Sequence, residues 1–203
     1  IGRMNVGLFE SRIRIEGLKV MNPPGFGTEP LAVIPVIDVD YELGSLFSKK
    51  LHCTSIEVDV QEVRIVKDAQ GEVNLNHLSA VGGEGGKKPE AGKSSEMRID
   101  RLTLTVGKVC YTTLKRDGAA NTKTVEIGLD HEVFEDLKSP REIVRVVILR
   151  VLKLSGLEHI GVAVDTLKSG LSHIGGAGKD LLEDAGKSLR SGAGGLLDRL
   201  RGN

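Results

Sequence analysis

Aromatic side chains are scarce in this sequence, which has no Trp, two Tyr and four Phe among 203 residues. A core without large rings must be built from Val, Ile and Leu, and these side chains favour β-sheet. Charge of one sign is also lacking, because 28 basic residues balance 28 acidic ones to a formal net charge of zero. The sequence therefore lacks the basic surface of a nucleic-acid-binding protein, and we expect no nucleic-acid partner.

Cysteine is nearly absent too, since the chain contains only Cys53 and Cys110. Two cysteines are too few for a disulfide-rich scaffold. Each lies in a predicted strand, so a single bridge is possible, but two buried free thiols are the favoured interpretation. Long apolar runs are missing as well: no stretch is long enough to span a bilayer, and no signal peptide is recognisable.

Alternating apolar residues predict the strands between Arg12 and Leu129, whereas Ile1–Glu10 shows no clear period. The stretch Arg12–Val20 alternates with one break of phase at Gly17, which is a natural position for a β-bulge. A similar shift occurs at Gln61-Glu62 within the long run Leu51–Val66. Because no helical pattern separates these runs, we expect an antiparallel sheet of about five to seven strands.

Residues 82–95, with the sequence GGEGGKKPEAGKSS, have no apolar anchor and predict a mobile hairpin loop. Within them, Gly86–Ser94 is the nearest approach to a phosphate-binding loop. Its glycines are separated by five residues where such a loop has four, and it lies between strands where such a loop opens a helix. The sequence therefore gives no support for a nucleotide site.

A helix is predicted to begin at Pro140, with Ser139 as its N-cap and Glu142 three residues beyond that cap. Its apolar stripe is wide enough to cover one face of the sheet. Beyond Gly156 an apolar stripe continues but is interrupted by many glycines, so this tail needs a surface to stay helical. The predicted lipid or membrane contacts of the tail are Ile160, Val164, Leu167, Leu171, Ile174, Leu181, Leu189, Leu196 and Leu200.

The predicted fold class is therefore α+β. A twisted antiparallel sheet (residues 1–139, with the loop 82–95) is covered by a long helix, and a C-terminal amphipathic helical tail follows (the helix and tail together being residues 140–203). An apolar groove remains wherever the sheet is longer than its cover.

Chemistry-bearing clusters are hard to find. The set His52, Cys53, Cys110 and His131 lacks the short paired spacing of zinc ligands. Asp38, Asp40 and Glu42 alternate along one strand and are expected on a solvated outer face. No nucleophile with a base is recognisable. We expect no catalytic residue, no metal and no cofactor, and we do not expect an enzyme.

A rigid corner follows the first long strand. Asn22, Pro23, Pro24, Gly25 and Phe26 form it: neither proline donates to a ladder, and the glycine tolerates positive φ. This motif, together with the preceding I-x-G-L-x-V strand, resembles the beginning of AsmA-type bacterial envelope proteins. A second sequence motif follows in such proteins, and it is matched here by Val63, Ile65, Gly71, Asn74, Asn76 and Leu78.

The resemblance implies a periplasmic location in the bacterial cell envelope. With the start at Ile1, it also implies a membrane-anchoring helix upstream of that residue. The related bridge-like lipid-transfer proteins hold acyl chains in an apolar gutter, so lipid binding, lipid transfer or outer-membrane assembly is expected. The expected partners are a lipid or membrane surface, another copy of the chain, or an envelope protein.

Two alternatives remain open at the level of sequence. A structural or scaffolding protein of the cell envelope would have the same sheet with a filled core. A stress module of the late-embryogenesis-abundant 2 kind also begins with a strand and an Asn-Pro motif, but the helices predicted after residue 139 count against it.

Overall fold

A seven-stranded sheet whose spatial order follows the chain order is the main element of the structure. The computed structural model describes residues 1–7, 10–48, 50–78, 96–162, 164–168, 171 and 173–181. The strands are β1 (Arg3–Gly7), β2 (Arg12–Met21), β3 (Pro30–Tyr41), β4 (Lys50–Lys67), β5 (Glu96–Leu114), β6 (Ala120–Leu137) and β7 (Gly175–Gly176). The helices are α1 (Pro140–Ser155), α2 (Val164–Lys168) and two 3₁₀ helices, named here the tip helix (Leu43–Ser48) and the closing helix (Asn74–His77).

The sheet is mixed, not wholly antiparallel as predicted. β4 and β5 are parallel, with Lys50 opposite Glu96 and Lys67 opposite Thr113. The other described pairings are antiparallel. A parallel pair needs a crossover connection of about a dozen or more residues instead of a tight turn. The hairpin interpretation of residues 82–95 is therefore wrong, while the segment itself lies outside the described residues.

The two faces of the sheet differ in chemistry. On the outer face, ion pairs cross from strand to strand, with Arg12 2.8 Å from Asp40 and Arg14 2.6 Å from Asp38. On the inner face, aliphatic side chains form one core with α1 and the residues that follow it. The most deeply buried members on β4–β6 include Val60, Ile65, Ile99, Leu102, Leu104 and Phe134. One face is thus solvated and the other is covered in part.

Interruptions of the hydrogen-bonded ladder form a row across the sheet. Gly17, at a φ of 65°, and Pro35 face each other across β2 and β3 without forming a regular pair. In the parallel pair β4–β5, Gln61 and Gly107 are the corresponding unpaired positions. The sequence predicted the irregularities at Gly17 and at Gln61, and the structure places them in line.

This row changes which residues face inward, and β3 shows it most clearly. Ile34 precedes Pro35 and Ile37 follows it, yet both side chains lie on the inner face although they are three residues apart. Pro35 has no N–H with which to continue a regular ladder, so the alternation shifts there.

Both ends of α1 are capped, and at its start the caps are the residues that the sequence indicated. The Ser139 side chain accepts a hydrogen bond from the Glu142 N–H at 3.3 Å, and the Glu142 carboxylate accepts one from the Lys138 N–H at 2.7 Å. At the other end, Gly156 adopts a left-handed conformation with a φ of 68°. The predicted start of this helix is therefore confirmed.

The tail differs from the predicted amphipathic helix in the residues that the structure describes. Between residues 157 and 181 it contains the five-residue α2 and the two-residue β7, which pairs with Phe134 and Glu135 of β6. A glycine such as Gly161, with a φ of 102°, favours turns over a continuous helix. The described part of the tail therefore wraps onto the protein's own sheet.

Candidate functional site

An apolar groove with a volume of about 570 Å³ lies between the inner face of the sheet and α1. α1 packs on β5 and β6, whereas β2, β3 and β4 form the floor of the groove. A helix is about 10–12 Å wide and strands are about 4.8 Å apart, so one helix covers about two strands. The groove is the part of the inner face that α1 does not reach.

Every residue that lines this groove is apolar. The floor and its ends consist of Ile15, Leu18, Val20, Leu31, Ala32, Ile34, Ile37, Val39, Ile56, Val58, Val60, Val63, Leu75, Leu78 and Met97. The helical wall consists of Pro140, Ile143, Val144, Val147, Ile148 and Val151. Such a lining offers no hydrogen bond to a polar ligand, and it suits a hydrocarbon.

The helical wall explains why the groove stays accessible. On the side of α1 that packs against the sheet, Val146, Leu149 and Leu152 are almost completely buried. On the groove side, Val144 remains 39% exposed. A helix that is apolar on both its packed and its exposed sides is expected to have a further apolar contact. The exposed side of α1 therefore presents an apolar surface that no described residue covers.

The floor of the groove continues to the edge strand of the sheet. Met4 and Val6 of β1 lie opposite Ile15 and Ile13 of β2, and opposite residues of an antiparallel pair share a face. Met4 is 55% exposed and Val6 is 46% exposed. The apolar surface thus extends past the groove to the side of the sheet.

At one end, Leu75 and Leu78 close the groove, and a polar network holds them in place. The buried Asn74 accepts a hydrogen bond from the Val66 N–H at 3.0 Å and donates to the Arg64 carbonyl at 2.9 Å. Its neighbour Asn76 donates to the carbonyl of Gly161 at 3.0 Å. These bonds tie the closing helix both to β4 and to the residues beyond α1.

The predicted corner after β2 lies at this same end. The side chain of Asn74 donates to that of Asn22 at 2.7 Å, and the Asn22 amide donates to the Glu29 carbonyl at 3.0 Å. Phe26 is buried, and its ring centre lies 5.0 Å from that of His77. The carbonyl of Pro23 accepts a hydrogen bond from the Phe26 N–H at 3.2 Å, and this bond closes the turn. The two motifs that carry the AsmA resemblance therefore meet in space, in a structural role.

The predicted lipid contacts of the tail lie mostly in the core. Leu167, Leu171, Ile174 and Leu181 are each at most 5% exposed, and Ile160 and Val164 are partly buried against the same core. Leu189, Leu196 and Leu200 lie outside the described residues. While the four buried side chains are packed in this way, they offer no surface to a bilayer. Sequence periodicity identified them as apolar but did not reveal what they contact.

Among the described residues that line the groove, none has an acidic, basic or nucleophilic side chain. The buried Cys53 and Cys110 are free thiols, as favoured by the sequence, and burial raises the pKa of the Cys53 thiol, which disfavours a reactive thiolate. Across the described residues, no three His, Cys, Asp or Glu side chains are grouped so as to hold a metal ion. Likewise, no described helix is long and apolar enough to cross a membrane.

Comparison of the chain with protein-family models, with curated proteins and with solved structures gives no match.

Proposed function

We propose that this protein is a non-enzymatic lipid-binding protein that holds a hydrocarbon chain in the groove between β2–β4 and α1. The observation that carries the proposal is the apolar lining of a groove of about 570 Å³ that the side chains in the described part of the chain leave unfilled. An aliphatic chain gains free energy in proportion to the apolar area it buries, and it needs no polar partner there.

The length of the groove suits an acyl chain lying along the strands. The floor residues of β4 run from Ile56 to Val63, a distance of about 23 Å at the usual rise per residue of a strand. Half of the hydrocarbon core of a bilayer, the depth of one leaflet, is about 15 Å. One extended chain therefore fits lengthwise, with the polar headgroup outside the groove.

We further propose that the protein acts in the bacterial cell envelope, on its periplasmic side, in lipid transfer or outer-membrane assembly. The resemblance of Asn22–Phe26 and the Asn74–Leu78 motif to AsmA-type proteins supports this location, as does the apolar groove. Membrane contact by Leu189, Leu196 and Leu200 belongs to the same proposal.

Titration with a fluorescent polyene fatty acid, cis-parinaric acid, tests the proposal. The variant Val144→Glu places a charge on the groove wall, and we expect it to weaken binding at least about tenfold, equivalent to about 1.4 kcal/mol. Leu154→Glu is the matched control, because Leu154 is 42% exposed on the same helix but is not among the lining residues. Equal affinities of the two variants, or no binding by the unmodified protein, would refute the proposal.

A further inference from the structure

The tip helix exposes a phenylalanine at one end of the sheet. Phe47 is 87% exposed, whereas the other two phenylalanines that the structure describes, Phe26 and Phe134, are buried. Leu43, at the start of the same helix, is 39% exposed. In sequence, Lys49 and Lys50 follow directly. Segments that lie in the membrane interface commonly combine aromatic side chains with neighbouring basic residues.

The tip helix is held firmly to the sheet. The buried hydroxyl of Ser45 donates to the Glu42 carbonyl at 2.6 Å and accepts from the His52 N–H at 3.1 Å. These bonds fix the turn between β3 and β4, so the exposure of Phe47 belongs to an anchored element of the fold.

The position of the tip helix relates it to the groove. It precedes β4, whose Leu51 is the register partner of Met97, and Met97 lines the groove. Pro140, the first residue of α1, lines the same end. The closing helix and the Asn22–Phe26 corner lie at the opposite end, after β4 and β2 respectively. The exposed apolar tip thus stands at the end of the groove that the closing helix does not occupy.

We propose that the tip helix inserts Phe47 and Leu43 into the interface of a lipid bilayer, which places the Met97–Pro140 end of the groove against the membrane. This inference rests on the proposed function, because it assigns the surface from which the groove would take its hydrocarbon chain. Insertion of a few apolar side chains gives reversible contact, as a protein that exchanges lipid with a bilayer requires.

The absence of tryptophan from the chain allows a direct test. Phe47→Trp introduces a single fluorescent reporter at the tip helix. Met21→Trp introduces one at the opposite end of the sheet, where Met21 ends β2 and is 57% exposed. With vesicles of phosphatidylglycerol and phosphatidylcholine, we expect Phe47→Trp emission to shift to the blue and to be quenched by brominated acyl chains. Met21→Trp emission should not change. An unchanged Phe47→Trp spectrum, or equal shifts in both variants, would overturn the assignment.

A second variant separates this inference from the proposed function. Phe47→Ser should reduce vesicle flotation several-fold and leave the affinity for cis-parinaric acid in solution unchanged. Loss of fatty-acid binding in Phe47→Ser would place this residue in the groove and overturn the bilayer contact. Conversely, a blue shift of Phe47→Trp in a protein that binds no fatty acid would refute the proposed function and leave the bilayer contact standing.

Discussion

A single histidine links three elements at the tip end. The imidazole of His52 lies 2.9 Å from a carboxylate oxygen of Glu42 and 2.7 Å from one of Asp100. The hydrogen bond to Glu42 raises the pKa of His52 above its ordinary value, and the hydrogen bond to Asp100 raises it by a smaller amount. The hydrogen bond from His52 lowers the pKa of Asp100 below its ordinary value, and the hydrogen bond from Arg98 lowers it by a smaller amount. The protonated ring therefore stabilises the contact between the end of β3 and the starts of β4 and β5.

Stability should depend on pH because of this histidine. Its raised folded-state pKa contributes stability that is fully present below the unfolded-state pKa of about 6.5 and is lost as pH rises through the folded-state value. We expect the thermal unfolding temperature to fall over that range. His52→Asn should flatten the profile, while His159→Asn, at an exposed position, should not. Identical profiles for the unmodified protein and His52→Asn would contradict this account.

At the same scale, sequence reasoning identified individual residues better than their contacts. The corner residues Asn22 and Phe26 were recognised from their order in the chain, and Asn74 from a family motif. The hydrogen bond between Asn22 and Asn74 joins residues 52 positions apart. Nothing in a linear pattern specifies such a meeting, because it depends on how β2, β3 and β4 align.

At the scale of elements, the row of ladder interruptions should be sensitive to added volume. A Cβ atom on Gly107 would lie 2.7 Å from the carbonyl oxygen of Gln61, which is backbone and cannot turn aside. We expect Gly107→Ala to lower the free energy of unfolding by about 1–3 kcal/mol, as overpacking does. Chemical denaturation measures it, with Gly44→Ala as control, since a Cβ there meets nothing within 4 Å. If the Gly107→Ala variant were as stable as the control, β4 and β5 could move apart at this position without any loss in the free energy of unfolding, which would contradict this prediction.

The parallel pairing of β4 and β5 makes a prediction about their connection. Because Lys50 lies opposite Glu96, the chain must return along the length of β4, about 56 Å at the usual strand rise, and residues 68–78 are held at the far end by the Lys67–Val73 bridge and the closing helix. With a four-residue turn in place of residues 82–95, seven residues would remain between Leu78 and Glu96, and they reach at most about 28 Å. Replacing residues 82–95 by a four-residue turn should therefore prevent native folding, as judged by circular dichroism and thermal unfolding. A Gly/Ser replacement of the same length is the control and should fold. A shortened protein with unchanged stability would refute the required crossover.

The elements themselves were predictable where local chemistry decides them. The start of α1 follows from Ser139 and Pro140, and the phase breaks at Gly17 and Gln61 appear directly in the sequence. Strand direction was not predictable in this way, because alternation is the same in parallel and antiparallel strands. The break at Pro35 was missed because apolar residues flank it on both sides, from Leu31 to Ile37, so the alternation there is ambiguous.

At the scale of the whole molecule, the proposed function depends on a difference in width between the sheet and the helix that covers it. A seven-stranded sheet has an inner face much wider than one helix, and in the described residues the segments after α1 cover only part of the remainder. The sequence predicted an apolar sheet face and an apolar helix face but not their offset, because packing position is a tertiary property. The unfilled groove results from that offset.

Native mass spectrometry of the full chain, purified from bacterial cells without detergent, tests the central claim most directly. We predict a species carrying one bound lipid, whose mass identifies the class of chain and headgroup. This species should be depleted in Val144→Glu and retained in Leu154→Glu. An unliganded mass alone, persisting after incubation with phospholipid vesicles, would contradict the claim that the groove between the sheet and α1 holds a lipid.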